Sequence, residues 1–164
     1  MKWQIVFFGS FLPVFSLGDN PDTADYIAIR QTLSAYPFAI DSKNFDALTN
    51  FFTEDVIANY STPINVLNGL NAVKTALSAS LASVHTQHAL TTQLINIDGP
   101  QTASSKTYFT ASHFGLGVYE GEILTAWGRY EDGLIKTSEG WRVKTRTLVY
   151  MAPLIGNASI FGSQ

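Results

Sequence analysis

The hydrophobic period changes once along the chain, and that change constrains the fold more than any single motif. From Asp19 to about Val84 apolar residues recur at helical spacing. Beyond it, Thr, Tyr, Phe, Ile and Val dominate, punctuated by Asp98-Gly99-Pro100, Tyr119-Glu120-Gly121, Glu131-Asp132-Gly133 and Ser138-Glu139-Gly140. In the first part, Asp22 or Thr23 can cap a helix that carries Tyr26, Ile29, Leu33 and Tyr36 or Phe38 on its apolar side, with Pro37 bending or ending it. A short second helix is expected over 44–52, where Phe45, Leu48 and Phe51 or Phe52 share a face. Val56 to Tyr60 reads as a strand. Asn68-Gly69 then precedes a third helix, roughly 70–84, with Leu70, Val73, Leu77 and Leu81 as its buried stripe. The second part reads as an antiparallel meander with strands over about 88–97, 104–118, 122–135 and 141–151. Helices followed by strands predict an α+β fold in which a curved sheet wraps around three N-terminal helices. Gly115, Gly117 and Gly128 fall where such a sheet can bulge or bend, and the tail 152–164 is weakly patterned.

Composition narrows the chemistry. The 164 residues are 46% hydrophobic and 14% charged, enough apolar material for one core. A formal charge of -3 with no basic stripe argues against a nucleic-acid partner. Without cysteine, disulfides, thiolate catalysis and cysteine-based metal sites are excluded, and the three histidines show no i, i+4 pairing, so no metal site is expected. No glycine-rich phosphate loop, Gly-x-Ser-x-Gly elbow or dinucleotide fingerprint is present, which leaves cofactor-free chemistry on carboxylates, histidines, hydroxyls and tyrosines. Residues 1–18, with Lys2, an uncharged apolar run and Ser16-Leu17-Gly18, read as a signal peptide or hydrophobic leader ahead of a 19–164 domain; a buried N-terminal arm is the alternative. That leader predicts the secretory pathway or secretion, with membrane contact only through it; without export the chain is cytoplasmic. Asn59-Tyr60-Ser61 and Asn157-Ala158-Ser159 are glycosylation sequons if the chain is exported, with Asn59 and Asn157 as acceptors.

An ordered series of segments carries a family resemblance. Ala39-Ile40-Asp41-Ser42-Lys43-Asn44-Phe45-Asp46-Ala47-Leu48, Phe52-Thr53-Glu54-Asp55-Val56 and Tyr60 are followed by Thr86-Gln87-His88, Tyr108-Phe109-Thr110-Ala111-Ser112-His113-Phe114-Gly115, Trp127-Gly128-Arg129-Tyr130 and Gly140-Trp141-Arg142-Val143. Over about 25–149 the chain resembles the SnoaL-like proteins of the nuclear transport factor two-like superfamily, with the scytalone dehydratase branch of fungal pigment biosynthesis as the nearest functional analogy. The resemblance implies a cone-shaped α+β barrel around one deep apolar pocket, an apolar small-molecule substrate, and homodimerisation through the sheet.

Asp41 ends an apolar helix, where burial would raise its pKa and make it a base; its rival role is to cap the following helix beside Ser42. The resemblance places Asp41 where the dehydratase branch orients a catalytic histidine and water, His88 and His113 on that branch's two histidines, and Tyr60 on a tyrosine that holds water against a carbonyl. An ordinary strand aromatic is the other reading of Tyr60, and His85 is expected to face solvent. Tyr108, Trp127 and Tyr130, in the matching segments, are the expected substrate-binding aromatics. Ile40 stands where that branch has a second tyrosine, and Gly128 and Tyr130 replace its later Ser and Asn, so a different substrate is implied. Arg129-Tyr130-Glu131 has the spacing of limonene-type epoxide hydrolases but is read as running into a turn. Arg142, Lys144 and Arg146 alternate with Trp141, Val143 and Thr145 as a strand with one wet face does. The combined expectation is an acid-base dehydratase, isomerase or cyclase of polyketide or terpenoid metabolism. Epoxide opening by the same groups, and a noncatalytic ligand-binding or scaffold protein, are the alternatives.

Overall fold

A computed structural model describes residues 21–162. The leader assigned to 1–18 lies outside those residues. Helix α1 (Pro21–Asp41) buries Ile29, Leu33, Tyr36 and Ile40, each at most 1% exposed, while Phe38 is 78% exposed. Pro37 therefore does not end the helix; it removes one N–H, and the buried residues on either side hold the axis together. The second helix is a single 3-10 segment, Phe45–Asn50, capped by Asn44, whose Oδ1 accepts the Ala47 N–H. Asp41 is thus free of the capping role.

Strand β1 (Phe52–Asn59) leads through a short β2 (Val66–Asn68) into α2 (Leu70–Ser80), which buries Leu70, Val73 and Leu77. The meander follows as β3 (Val84–Gly99), β4 (Thr102–Gly115), β5 (Ile123–Thr137) and β6 (Gly140–Tyr150). The third helix is shorter than its periodicity suggests because Val84 already pairs with Gly115. The sheet order is β2-β1-β6-β5-β4-β3; β1 runs parallel to β6 and the other pairings are antiparallel, so the sheet is mixed. The tail adds β7 (Ile155–Gly156) against Leu124 and Thr125 of β5, then a 3-10 turn, Ala158–Phe161.

Two expectations fail at one place in the sheet. Glu131-Asp132-Gly133 is not a turn but the interior of β5. Gly133 pairs with Thr145 and Leu134 with Val143, so Lys144 is an extra residue on β6. That bulge inverts the side-chain alternation: Val143 and Arg146 both point inward, and the wet face predicted for Arg142, Lys144 and Arg146 does not include Arg146, which is 3% exposed. Lys144 itself turns out to pair with Asp55. Gly128 is no bend either. It lies in unbroken register, and a Cβ there would come within 2.6 Å of the Phe109 ring, so its missing side chain is the space that ring occupies.

Candidate functional site

The end of α1 meets the start of β3 through one carboxylate. Asp41 accepts the Thr86 hydroxyl on Oδ1 at 2.8 Å, the His88 backbone N–H on Oδ2 at 2.8 Å and the His88 imidazole Nδ1 on Oδ1 at 2.7 Å. Burial pushes this carboxyl upward, but the hydrogen bonds from His88 and Thr86 outweigh it and hold the group below the usual carboxylate range. The raised pKa expected from sequence is therefore corrected: Asp41 is an anion that orients His88, not a poised base. A carboxylate only accepts, so His88 Nδ1 carries a proton toward Asp41 and Nε2 is the ring nitrogen left for the cavity.

His113 faces His88 from β4 because Thr86 and His113 are cross-strand partners and His88 opposes Ala111. The two rings meet edge to face with centroids 5.9 Å apart. His113 Nδ1 donates to the Leu124 carbonyl at 3.2 Å, which leaves its Nε2 as a second acceptor. Burial, then the neighbouring His88, lowers its pKa to about 4, so His113 is neutral near pH 7. Phe161 of the tail packs against it at 5.2 Å between centroids.

Both imidazoles open on the cavity inside the cone, a narrow space of about 80 Å³. Its far wall is aromatic: Tyr36, Tyr60, Tyr130 and Phe109, with Phe109 stacked on Tyr130 at 4.4 Å. Ile40, read from sequence as a departure that changes the cavity wall, is part of the apolar lining. An outer basin of about 330 Å³ shares Ile64, Leu81, His113 and Tyr150 with the inner space and is walled by Leu154 and Phe161 of the tail. The tail thus borders the entrance.

Tyr60 is 4% exposed and its hydroxyl lies 3.0 Å from that of Tyr36. Burial raises Tyr60 and Tyr130 well above the ordinary phenol value, so both are neutral donors. Of the expected substrate-binding aromatics only Tyr130 reaches the cavity. Tyr108 and Trp127 flank the inward residues Phe109 and Ala126, so the two-residue period sends them to the outer sheet face, where Tyr108 is 41% exposed. Arg129 and Glu131 pair there too, at 2.8 Å, which takes the epoxide-hydrolase spacing away from the cavity. His85 is exposed, as expected. The Oδ1 atoms of Asn59 and Asn157 accept the backbone N–H of Ser61 and Ser159. Among the described residues no cluster of three or more His, Asp or Glu is placed to hold a metal ion.

Two features escaped the sequence reading. Tyr36 looked like one more apolar residue of the α1 stripe. Asp132 and Arg146 looked like a turn and a wet face, yet they form a buried ion pair behind Tyr36 and Tyr130, with the guanidinium carbon 4.2 Å and 3.9 Å from those ring centroids.

Known proteins are similar to this chain in sequence or in fold. An uncharacterized protein of Mycobacterium tuberculosis is 27% identical over 126 residues, covering 76% of this chain and 84% of that protein. The crystal structure of a Novosphingobium aromaticivorans protein, provisionally named a scytalone dehydratase, superimposes with a TM-score of 0.75 at 20% identity, covering 84% of this chain and 90% of that one. Hexachlorocyclohexane dehydrochlorinase type 3 of Novosphingobium barchaimii gives 0.73 at 10% identity, over 84% and 93% of the two chains. The SnoaL-like domain profile matches residues 21–147, and with the cone and its mixed sheet in place the chain belongs to the SnoaL-like domain family.

Proposed function

We propose that this chain is a cofactor-independent acid-base enzyme that takes a compact apolar intermediate of polyketide or terpenoid type into the cone and removes a proton from it, with dehydration, isomerisation or cyclisation as the outcome. The observation that carries this reading is the 2.7 Å contact between Asp41 and His88 Nδ1, which fixes the tautomer and leaves Nε2 free in a mostly apolar cavity. When Nε2 takes a proton, the Asp41 anion stabilises the imidazolium that forms. His113, neutral and fixed by Leu124, offers a second acceptor that aligns a hydroxyl or receives it as it departs. Tyr60 supplies the donor that polarises a substrate oxygen. The names of two proteins of the same fold, a scytalone dehydratase and a dehydrochlorinase, both describe eliminations, which is the reaction type this arrangement suits.

The test is turnover on a panel of cyclic hydroxy ketones, together with exchange of substrate carbon-bound hydrogen in D2O, for the wild type, His88→Gln and Asp41→Asn. Loss of exchange in both variants with the fold retained is expected. Equal exchange in wild type and His88→Gln would overturn the reading and favour a ligand-binding role.

A further inference from the structure

The inner cavity is too small for a whole substrate. It measures about 80 Å³, whereas a cavity that holds benzene measures about 150 Å³, so only a few heavy atoms of a ligand fit in front of His88. The outer basin, at about 330 Å³, is about four times as large and adjoins it at Ile64, Leu81, His113 and Tyr150, which line both. None of the residues lining either space is Asp, Glu, Lys or Arg. In the basin the Ser80 hydroxyl donates to the Leu77 carbonyl at 3.2 Å and His113 Nδ1 is committed to Leu124, so both are satisfied within the protein. Tyr150 adds a neutral phenol, and Pro63, Ile64, Leu124, Leu154 and Phe161 supply an apolar wall that suits hydrocarbon and offers no partner to a carboxylate or phosphate. The tail that completes this wall is fixed in place. Ile160 is 1% exposed, the Ser83 hydroxyl donates to its carbonyl at 3.1 Å, and the Asn157 N–H donates to the Ile123 carbonyl at 2.9 Å. Gly156, at φ +126°, lies so close to β5 that a Cβ has no room against the Ile123 carbonyl.

We infer that the outer basin is a second substrate subsite, and that the substrate is an elongated molecule: a small head in the inner cavity and an uncharged hydrocarbon body lying between Ile64, Leu124, Leu154 and Phe161. The inference rests on the proton-abstraction reading above and adds to it the shape of the substrate and the residues that select it. His113 stands where head and body meet, because it lines both spaces. A body of about ten carbons fills the basin, which has about twice the volume of a benzene-holding cavity. Leu154 and Phe161 are then specificity-determining residues. They bury the body without touching the reacting atoms, and each buried methylene adds to affinity. A ligand that ends at the inner cavity leaves this apolar wall to water and forfeits that gain.

The test is calorimetric binding of a series of primary alcohols, 1-butanol to 1-dodecanol, whose hydroxyl stands in for the head. In the wild type affinity is expected to rise about two- to fourfold per added methylene as far as about 1-decanol and then to level off. Leu154→Arg places a charge in the basin and should abolish most of this rise while changing 1-butanol binding little. Ala158→Trp fills the basin from the tail and should make the rise stop at a shorter chain. Both positions are exposed, so neither variant disturbs the core. His88→Gln should keep the full dependence on chain length, since the basin does not need the base. Equal affinity for 1-butanol and 1-decanol, or a rise that survives both Leu154→Arg and Ala158→Trp, would overturn the subsite. Hydrogen exchange in D2O on a compact ketone, without any dependence on chain length, would leave the base in place and remove the basin. A chain-length dependence that both basin variants cut, with no exchange in the wild type, would sustain the basin and remove the base.

Discussion

Asp132 and Arg146 are cross-strand partners on β5 and β6 and form a two-point ion pair in the interior, Nε to Oδ1 at 2.8 Å and Nη2 to Oδ2 at 2.7 Å, with side chains 0% and 2% exposed. The guanidinium also touches the rings of Phe51 and Phe52, so one residue ties the closed end of the cone to β1, α1 and β5. Its Nη1 has no hydrogen-bond partner among the described residues.

Removing one member of that pair leaves a buried, uncompensated charge. Arg146→Met or Asp132→Leu alone should cost about 3–5 kcal/mol in urea unfolding, whereas the double variant should regain most of the loss, because two apolar side chains leave no stranded charge. A double variant no more stable than either single one would show that packing, not charge, dominates at this place.

His88→Gln should lower turnover by about a hundred- to ten-thousandfold with little change in melting temperature, since the ring fills the cavity wall rather than the core. Asp41→Asn should also lower turnover, and it should destabilise the fold as well, by about 1–3 kcal/mol, because Asp41 holds both the His88 backbone N–H and the Thr86 hydroxyl. Thermal melts run beside the kinetic assays separate the two effects.

His113 makes stability depend on pH in a defined window. Its pKa is about 4 in the fold against 6.5 for an unperturbed histidine, so between these values the unfolded chain binds a proton that the folded chain refuses. Stability should therefore fall as pH drops from 6.5 toward 4 and show no further loss from this group below that. Asp41, held low, adds a separate loss only as pH falls below 3.8. Urea midpoints at pH 7, 5.5 and 4.5 should slope for the wild type and flatten for His113→Gln. Identical slopes would mean that His113 is not the titrating group.

Phe161 keeps water from His113. Phe161→Ala should raise the His113 pKa by about one unit or more toward 6.5, read from imidazole proton shifts in an NMR titration, because desolvation is the main cause of its depression. An unchanged titration would indicate that the rest of the wall suffices to bury the ring.

Much of the architecture was legible from local pattern. Of the stripe read from sequence, Ile29, Leu33 and Tyr36 are the buried side of α1 while Tyr26 and Phe38 are exposed, and the Thr, Tyr, Val and Ile segments between glycine turns set the meander, since each element must present one continuous apolar side to a core. Asp41, His88 and His113 were legible as a set and do converge. The phase of β6 was not, because the bulge at Lys144 depends on how β5 lies beside it; one extra residue then turned Arg146 from solvent to core.

The sequence by itself determined the class of fold, the order of its elements and the residue types available for proton transfer, because periodicity and turn chemistry act between near neighbours. Only the tertiary structure decided what those residues do. Tyr36 meets Tyr60 across 24 residues, Asp41 meets His88 across 47, and Asp132 meets Arg146 behind an aromatic wall. Whether a carboxyl is raised by burial or lowered by hydrogen bonds depends on the partners packed against it, and in Asp41 those partners come from a strand that its own helix does not specify.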